Sequence, residues 1–405
     1  MHKIINNIKL GFLLIFFLFL FISFQNIKYS LAGLIFISLF TIQYGKIKIK
    51  TLKYTIPLLV LFFVNIISLF YSDNIGLGFR TIDTQLSLLL LPILISFDSE
   101  FYFNNKQKII KGFIIASIIA ILVFIILFIQ SGNIHRLINS LEKYNLFAVI
   151  RWYNVINSQH PTYISLSFLF SIILIIHSYN KEDKCFFIVL KLIGILVILI
   201  AIFLLNSRAI LLSTFFVFIY YTIKFLAEHK RIYIYISLIL LLSVFSYIIV
   251  NSRFHKNIEQ IEQGVSTENY EKVDIRISLW KDAYIMWKEK PLFGYGIGDA
   301  KIKLIDVHKN RDIKIAFKER YNCHNQFLET ATQTGVVGLI VLLLVFAIPF
   351  YQAIKKKQEL LFLFLSICFI NFLFESMLQR IAGVVFFAFW YSFLWFVYYR
   401  DDNKE

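Results

Sequence analysis

His324, Arg208 and Arg276 combine reactive side chains with an uncommon setting. His324 lies in the stretch Tyr321-Asn-Cys-His-Asn-Gln-Phe-Leu-Glu-Thr-Ala-Thr-Gln-Thr-Gly335, immediately ahead of a long and almost wholly apolar run. A neutral imidazole is what a general base requires near neutral pH. With Asn322 as N-cap, a helix is predicted to run to Thr334, with His324 in its first turn. The positive end of the helix dipole and neighbouring arginines would then disfavour the imidazolium. Asn325, Glu329 and Thr332 follow at helical spacing and form a polar stripe beside it. A lone histidine in such a place more often caps and hydrogen-bonds locally. The stripe opening onto an apolar run favours chemistry here.

Arg208 lies in Leu-Leu-Asn-Ser-Arg-Ala-Ile-Leu-Leu-Ser, residues 204–213, in a short link between two apolar runs. An ionised arginine beside hydrocarbon is costly unless it has a partner or a task, and a snorkelling side chain is the plain alternative. Arg276, Trp280, Ala283 and Trp287 recur at helical spacing, as do Leu279, Ala283 and Met286. They predict an amphipathic helix lying on a membrane and ended by Pro291 and the glycines that follow. Interfacial anchoring is the simpler role for the two tryptophans. Gly294, Gly296 and Gly298 form a Gly-x-Gly-x-Gly with no preceding strand and no Gly-Lys-Ser/Thr after it, which argues against a nucleotide loop. A tight corner or a close backbone approach to phosphate fits the spacing better. His135, His160, His255 and His308 show no metal-ligand spacing, and His160 in Ser-Gln-His-Pro-Thr-Tyr stands just ahead of an apolar run where it could line the same cavity.

The elements that must position these residues are membrane helices. Of the 405 residues 59% are hydrophobic and only 16% charged, against roughly 25% charged in soluble domains. The fold class expected is an all-α polytopic membrane protein with about twelve transmembrane helices and one large outward-facing loop carrying amphipathic helices. The apolar runs fall at 10–25, 29–44, 54–71, 83–97, 112–130, 162–179, 186–206, 209–226, 232–250, 335–354, 360–375 and 382–399. The first is read as an uncleaved span, because no small-x-small cleavage site follows it. Residues 1–250 would carry nine spans, 251–334 the periplasmic loop, and 335–405 three spans and a cytoplasmic tail. With both termini inside, twenty of the 41 Lys and Arg fall on inner segments and seven on short outer ones, the rest lying in the long loop. The net charge of +16 then reflects this bias rather than nucleic-acid binding. Cys185, Cys323 and Cys368 suggest neither a disulfide framework nor a thiolate metal site. His324, Arg276, Arg208 and Arg80 all come to the outer face, where no ATP or nucleotide sugar is present. A substrate used there must carry its own activation, and lipid-linked pyrophosphates are the main such class.

The sequence resembles the O-antigen ligase and Wzy-type polymerase superfamily, bacterial inner-membrane glycosyltransferases of the GT-C type. The resemblance rests on Ser207-Arg208-Ala209 between closely linked spans and on Arg276 followed by Trp280, Ala283, Pro291 and Gly294-Tyr-Gly296-Ile-Gly298. It rests also on His324-Asn325-x-Phe327-Leu328-Glu329 with Gly335 and Gly338, and on the large loop that carries these motifs. It implies a metal-independent, inverting transfer from an undecaprenyl-pyrophosphate-linked glycan to an acceptor sugar hydroxyl, with no cofactor. His324 would be the catalytic base. Arg208 and Arg276, with Arg80 and Arg320 as lesser candidates, would bind the pyrophosphate, and Asn325 and Glu329 would support the site. Gln333-Thr334 stand where such proteins often have an acidic residue before the Gly-x-x-Gly, which questions a carboxylate at that spot. A ligase acting on lipid A-core leads. A polymerase acting on another lipid-linked glycan is the near alternative, and transfer to protein is disfavoured because the loop holds no extra soluble domain. A polysaccharide flippase would predict internal repeats and charges near the midplane of the bilayer, and neither is seen. A structural scaffold would leave Arg208 and His324 unexplained.

Overall fold

The structure is a computed structural model that describes residues 2–39, 55–130, 160–180, 182–205, 207–228 and 275–401. The described residues are helical, with no strand. The elements are α1 (His2–Ile22), α2 (Phe24–Leu39), α3 (Ile56–Ile67), α4 (Ile75–Gln85), α5 (Ser87–Phe97), α6 (Ser99–Asn104), α7 (Lys106–Gln130) and α8 (Pro161–His177). There follow α9 (Cys185–Leu205), α10 (Arg208–Glu228), α11 (Ile275–Glu289), α12 (Ala300–Asn310), α13 (Lys314–Lys318), α14 (Gln326–Lys355), α15 (Glu359–Phe374) and α16 (Ile381–Asp401). Six described helical stretches are long and apolar enough to cross a membrane, and five shorter ones are apolar. The expected run at 232–250 and the first part of the expected 251–334 loop lie outside the described residues.

The sorting of side chains is that of a bundle in an apolar solvent. α8 is buried along nearly its whole length, as is α16 over its described side chains. Around Trp390 of α16, Phe113 and Phe170 pack edge-on at 4.9 and 4.8 Å between ring centroids. α9 is apolar apart from Lys191 near its start, which pairs with Asp183, yet it exposes Phe186, Leu190, Ile193, Leu196 and Ile200. A face of that kind is stable only against hydrocarbon. Lys9, buried within α1, is paired with Asp98 at the end of α5, as an ion inside a bundle must be.

Two differences from the sequence reading concern the site. The span expected at 83–97 extends back through α4 to Ile75, so Arg80 lies within a helix and not in a link ahead of one. Gly76, Gly78, Thr81 and Asp83 dilute the hydropathy there. The helix carrying Arg276, α11, does not rest its apolar face on a membrane. Leu279 packs with Ile313 and Ala316, and Ala283 and Met286 pack with Leu304, Val307 and Cys323. α11 and α12 are further joined by buried Asp282, which contacts His308 Nδ1 at 2.6 Å and Arg311. This small helical layer therefore has its own core.

The layer is riveted to the bundle at Gly335. There α14 leaves helical geometry, with Gly335 at φ 65°, so the carbonyls of the preceding turn lose their helical donors. The glycine corner supplies replacements. Tyr295 N–H donates to Thr332 O at 2.9 Å and Gly296 N–H to Gln333 O at 2.8 Å, while Val336 N–H donates to Pro291 O at 2.8 Å. Ile297 and Gly298 N–H donate to the Ser68 and Ser72 hydroxyls, both at 3.2 Å. The corner is tight because backbones touch: a Cβ on Gly294 would overlap the Thr332–Gln333 backbone, and one on Gly335 would overlap Leu292 O. Of the two roles open to the Gly-x-Gly-x-Gly, the structure shows the corner, with these amides bonded to protein.

Candidate functional site

The helix after His324 begins one turn later than expected. Asn325, not Asn322, is the N-cap of α14: its Oδ1 accepts from Leu328 N–H at 3.0 Å. His324 therefore lies before the helix and not in its first turn, so the dipole argument for its neutrality does not apply there. Both asparagines can cap, and the tertiary fit of the loop chooses between them. Asn322 instead makes a local turn, its Oδ1 accepting from His324 N–H at 3.1 Å. His324 takes a left-handed backbone conformation, φ 45°, which L side chains adopt at some cost. Trp280 Nε1–H donates to its carbonyl at 3.3 Å, so this tryptophan braces the histidine. Tyr321 stands edge-on to the imidazole, 5.7 Å between centroids.

The polar stripe works as a clamp on the connection between α15 and α16. Asn325 Nδ2 donates to Leu373 O at 3.1 Å, and Gln326 Oε1 accepts from Leu378 N–H at 2.7 Å. Glu329 Oε2 accepts from Ser376 Oγ–H and from Cys323 N–H, both at 3.0 Å, and its Oε1 accepts from Gln333 Nε2 at 3.3 Å. Gln333 Oε1 in turn accepts from Gln379 Nε2 at 3.3 Å. Glu329 is thus buried but satisfied, and it ties the histidine turn to the connection. Gln333 serves this network as an amide, donating on one side and accepting on the other, which an acidic residue could not do.

What the clamp delivers is Glu375. One carboxylate oxygen lies 3.1 Å from His324 Nδ1, and the other accepts from Arg276 Nη2 at 3.1 Å. Glu375 is buried, which by itself would raise its pKa. The hydrogen bond to His324 and the charges of His160, His324 and Arg276 outweigh burial and hold it at about 2. It is an anion at any physiological pH. The sequence reading missed it, because Phe-Glu-Ser-Met-Leu-Gln-Arg, 374–380, looks like an ordinary polar link between apolar runs. The one available signal was a carboxylate in that short link on the same face as His324.

His160 belongs to the same neighbourhood. Its surroundings lower its pKa, chiefly by desolvation, with Glu375 acting the other way and His324, Arg380 and Arg276 adding to the depression. His160 Nδ1 is 3.1 Å from Thr162 Oγ1, which is 3.0 Å from Ser207 Oγ. This relay leads to the residue beside Arg208, the first residue of α10. Arg208 is exposed, and the relay runs from His160 to its neighbour Ser207. Arg80 and Arg320 are exposed and form no ion pair among the described residues. Arg320 sits in a turn with φ 51°. His308 is engaged by Asp282, and His135 and His255 lie outside the described residues.

The arrangement joins a histidine held by a carboxylate, a guanidinium held by the same carboxylate, and further cationic groups nearby. Such a set can accept a proton at the free imidazole nitrogen and stabilise an anion beside it.

Comparison with known proteins agrees with the motifs. Residues 193–343 match the model of a family described as O-Antigen ligase. Ser207-Arg-Ala, Arg276 and His324 fall inside the match, which supports the O-antigen ligase and Wzy family; Glu375 falls outside it. A stretch of 85 residues is 35% identical to an uncharacterized protein of Haemophilus influenzae, covering 20% of each chain. The aligned part thus spans about a fifth of that relative's length.

Proposed function

We propose that this chain, with its O-antigen-ligase-like segment at 193–343, is a multi-pass inner-membrane glycosyltransferase working at the outer face. The donor is an undecaprenyl-pyrophosphate-linked glycan and the acceptor a sugar hydroxyl, that of lipid A-core in a ligase. The observation that carries this reading is the meeting of His324 and Arg276 on Glu375.

In this reading the acceptor hydroxyl attacks the anomeric carbon from the face opposite the pyrophosphate. The new C–O bond forms as the bond to the phosphate oxygen breaks, so the configuration inverts. The hydroxyl proton passes to His324 Nε2, and the bond pair leaves with the pyrophosphate. Arg276 and Arg208 balance the charge of the leaving group. Guanidinium suits this because it is always ionised and forks toward two oxygens. It has five N–H donors, so a bond to Glu375 does not by itself exhaust it. Residues 251–334 and 335–405 would then be an outer catalytic loop and a closing set of spans.

Deleting the gene and examining the glycans tests the reading and separates its two forms. Loss of a ligase leaves lipid A-core uncapped while long chains accumulate on the carrier lipid. Loss of a polymerase leaves single repeat units attached to core. Unchanged glycans in the deletion strain would refute both.

A further inference from the structure

We propose that Glu375 is a positioning residue for the transfer, with its single carboxylate orienting both the base and the leaving-group arginine. The inference rests on the reading of glycan transfer above, and goes beyond it to a residue outside the family match.

A carboxylate can only accept hydrogen bonds, so the imidazole nitrogen that faces it must carry hydrogen. With Nδ1–H directed at Glu375 Oε2, the lone pair of neutral His324 resides on Nε2, on the opposite edge of the ring. That edge is the one able to take a proton from an acceptor hydroxyl. The other oxygen holds Arg276 Nη2, so the guanidinium is placed with respect to the same anchor. Both contacts depend on the connection between α15 and α16, which the Asn325, Gln326, Glu329 and Gln333 side chains grip.

Glu375→Gln keeps the shape and removes the charge. An amide has one accepting and one donating end, so it cannot accept from His324 and Arg276 at once. If its NH₂ turns to the ring, Nδ1 must accept and hydrogen moves to Nε2, where it blocks the base. Groups that bear on this carboxylate are His160 and Tyr163 at the start of α8, Arg276 on α11 and His324 on the loop, whose ring Tyr321 meets edge-on. Glu329 of α14 and Arg380 of the connection bear electrostatically on Tyr163 in turn.

The test is transfer kinetics for the purified full-length wild type, His324→Ala, Glu375→Gln and Glu375→Asp, with a polyprenyl-pyrophosphate glycan donor. Glu375→Gln is expected to lower kcat by a factor on the order of 10²–10⁴, far more than donor KM rises. Glu375→Asp keeps the charge and is expected to recover activity to within about tenfold of wild type. Wild-type kcat in Glu375→Gln would overturn the assignment. So would Glu375→Asp as inactive as His324→Ala, an outcome that stays readable even if Glu375→Gln fails to fold. A wild type that transfers no glycan would refute the parent reading, and this one with it.

Discussion

Arg276 and Arg208 are the residues whose chemistry is hardest to replace. An ammonium keeps the charge but loses the planar fork, and losing one such donor at a leaving group costs about 2.7–4 kcal/mol. Arg276→Lys and Arg208→Lys are each expected to lower kcat/KM on the order of 10²–10³. Transfer at wild-type rates by either variant would remove that arginine from the site. Full activity in EDTA is expected alongside, because the arginines carry the charge that a divalent ion would otherwise neutralise. Glu375 gives a second expectation at this scale. Its pKa is depressed to about 2 from a usual 4.5. Its stabilising contribution is therefore complete above pH 4.5 and is lost as pH falls toward 2. Thermal melting of the purified protein is expected to weaken across that window, and Glu375→Gln to flatten its share of the slope.

At the scale of elements, the break in α14 joins two layers. Gly335→Ala must place a side chain at positive φ and against Leu292 O. The backbone strain alone is on the order of 1–3 kcal/mol. Melting temperature is expected to drop and activity with it, whereas Gly11→Ala, with open space around it, is expected to be silent in both. Equal stability of the two variants would mean that the corner and the kink are not mechanically joined. The local pattern of this region is legible in sequence. Asn-Gln-Phe-Leu-Glu reads as a helix start, and Gly335 marks where the polar helix gives way to the apolar run. Arg276, Leu279, Ala283 and Met286 mark one helix correctly. What covers its apolar face is not legible, because an amphipathic stripe looks the same whether it meets lipid or α12 and α13. The cap was misplaced by one turn because Asn322 and Asn325 are equally good at it. Glu375 was invisible because its role arises from contacts with residues 51 and 99 positions away.

For the whole molecule, sidedness is the property that the substrate class depends on. The excess of Lys and Arg on alternate links predicts that Asn310 faces outward and Lys356 inward. Single cysteines placed at 310 and 356, in a background where Cys185, Cys323 and Cys368 are replaced, test this with a membrane-impermeant thiol reagent. Labelling at 310 and not at 356 is expected in intact cells. The reverse would place the site in the cytoplasm, where nucleotide sugars are available, and the argument for a lipid-linked donor would fail. Composition and apolar runs made the helical membrane class legible, since an exposed α9 has no other stable surroundings. The convergence of the loop, the start of α8 and the connection ahead of α16 on one carboxylate was not, since each lies on a different part of the chain. The most direct measurement is transfer of glycan by purified His324→Ala beside wild type, with defined donor and acceptor and with donor binding measured separately. Loss of transfer to background with donor binding retained is the predicted result. Transfer at the wild-type rate by folded His324→Ala would contradict the account.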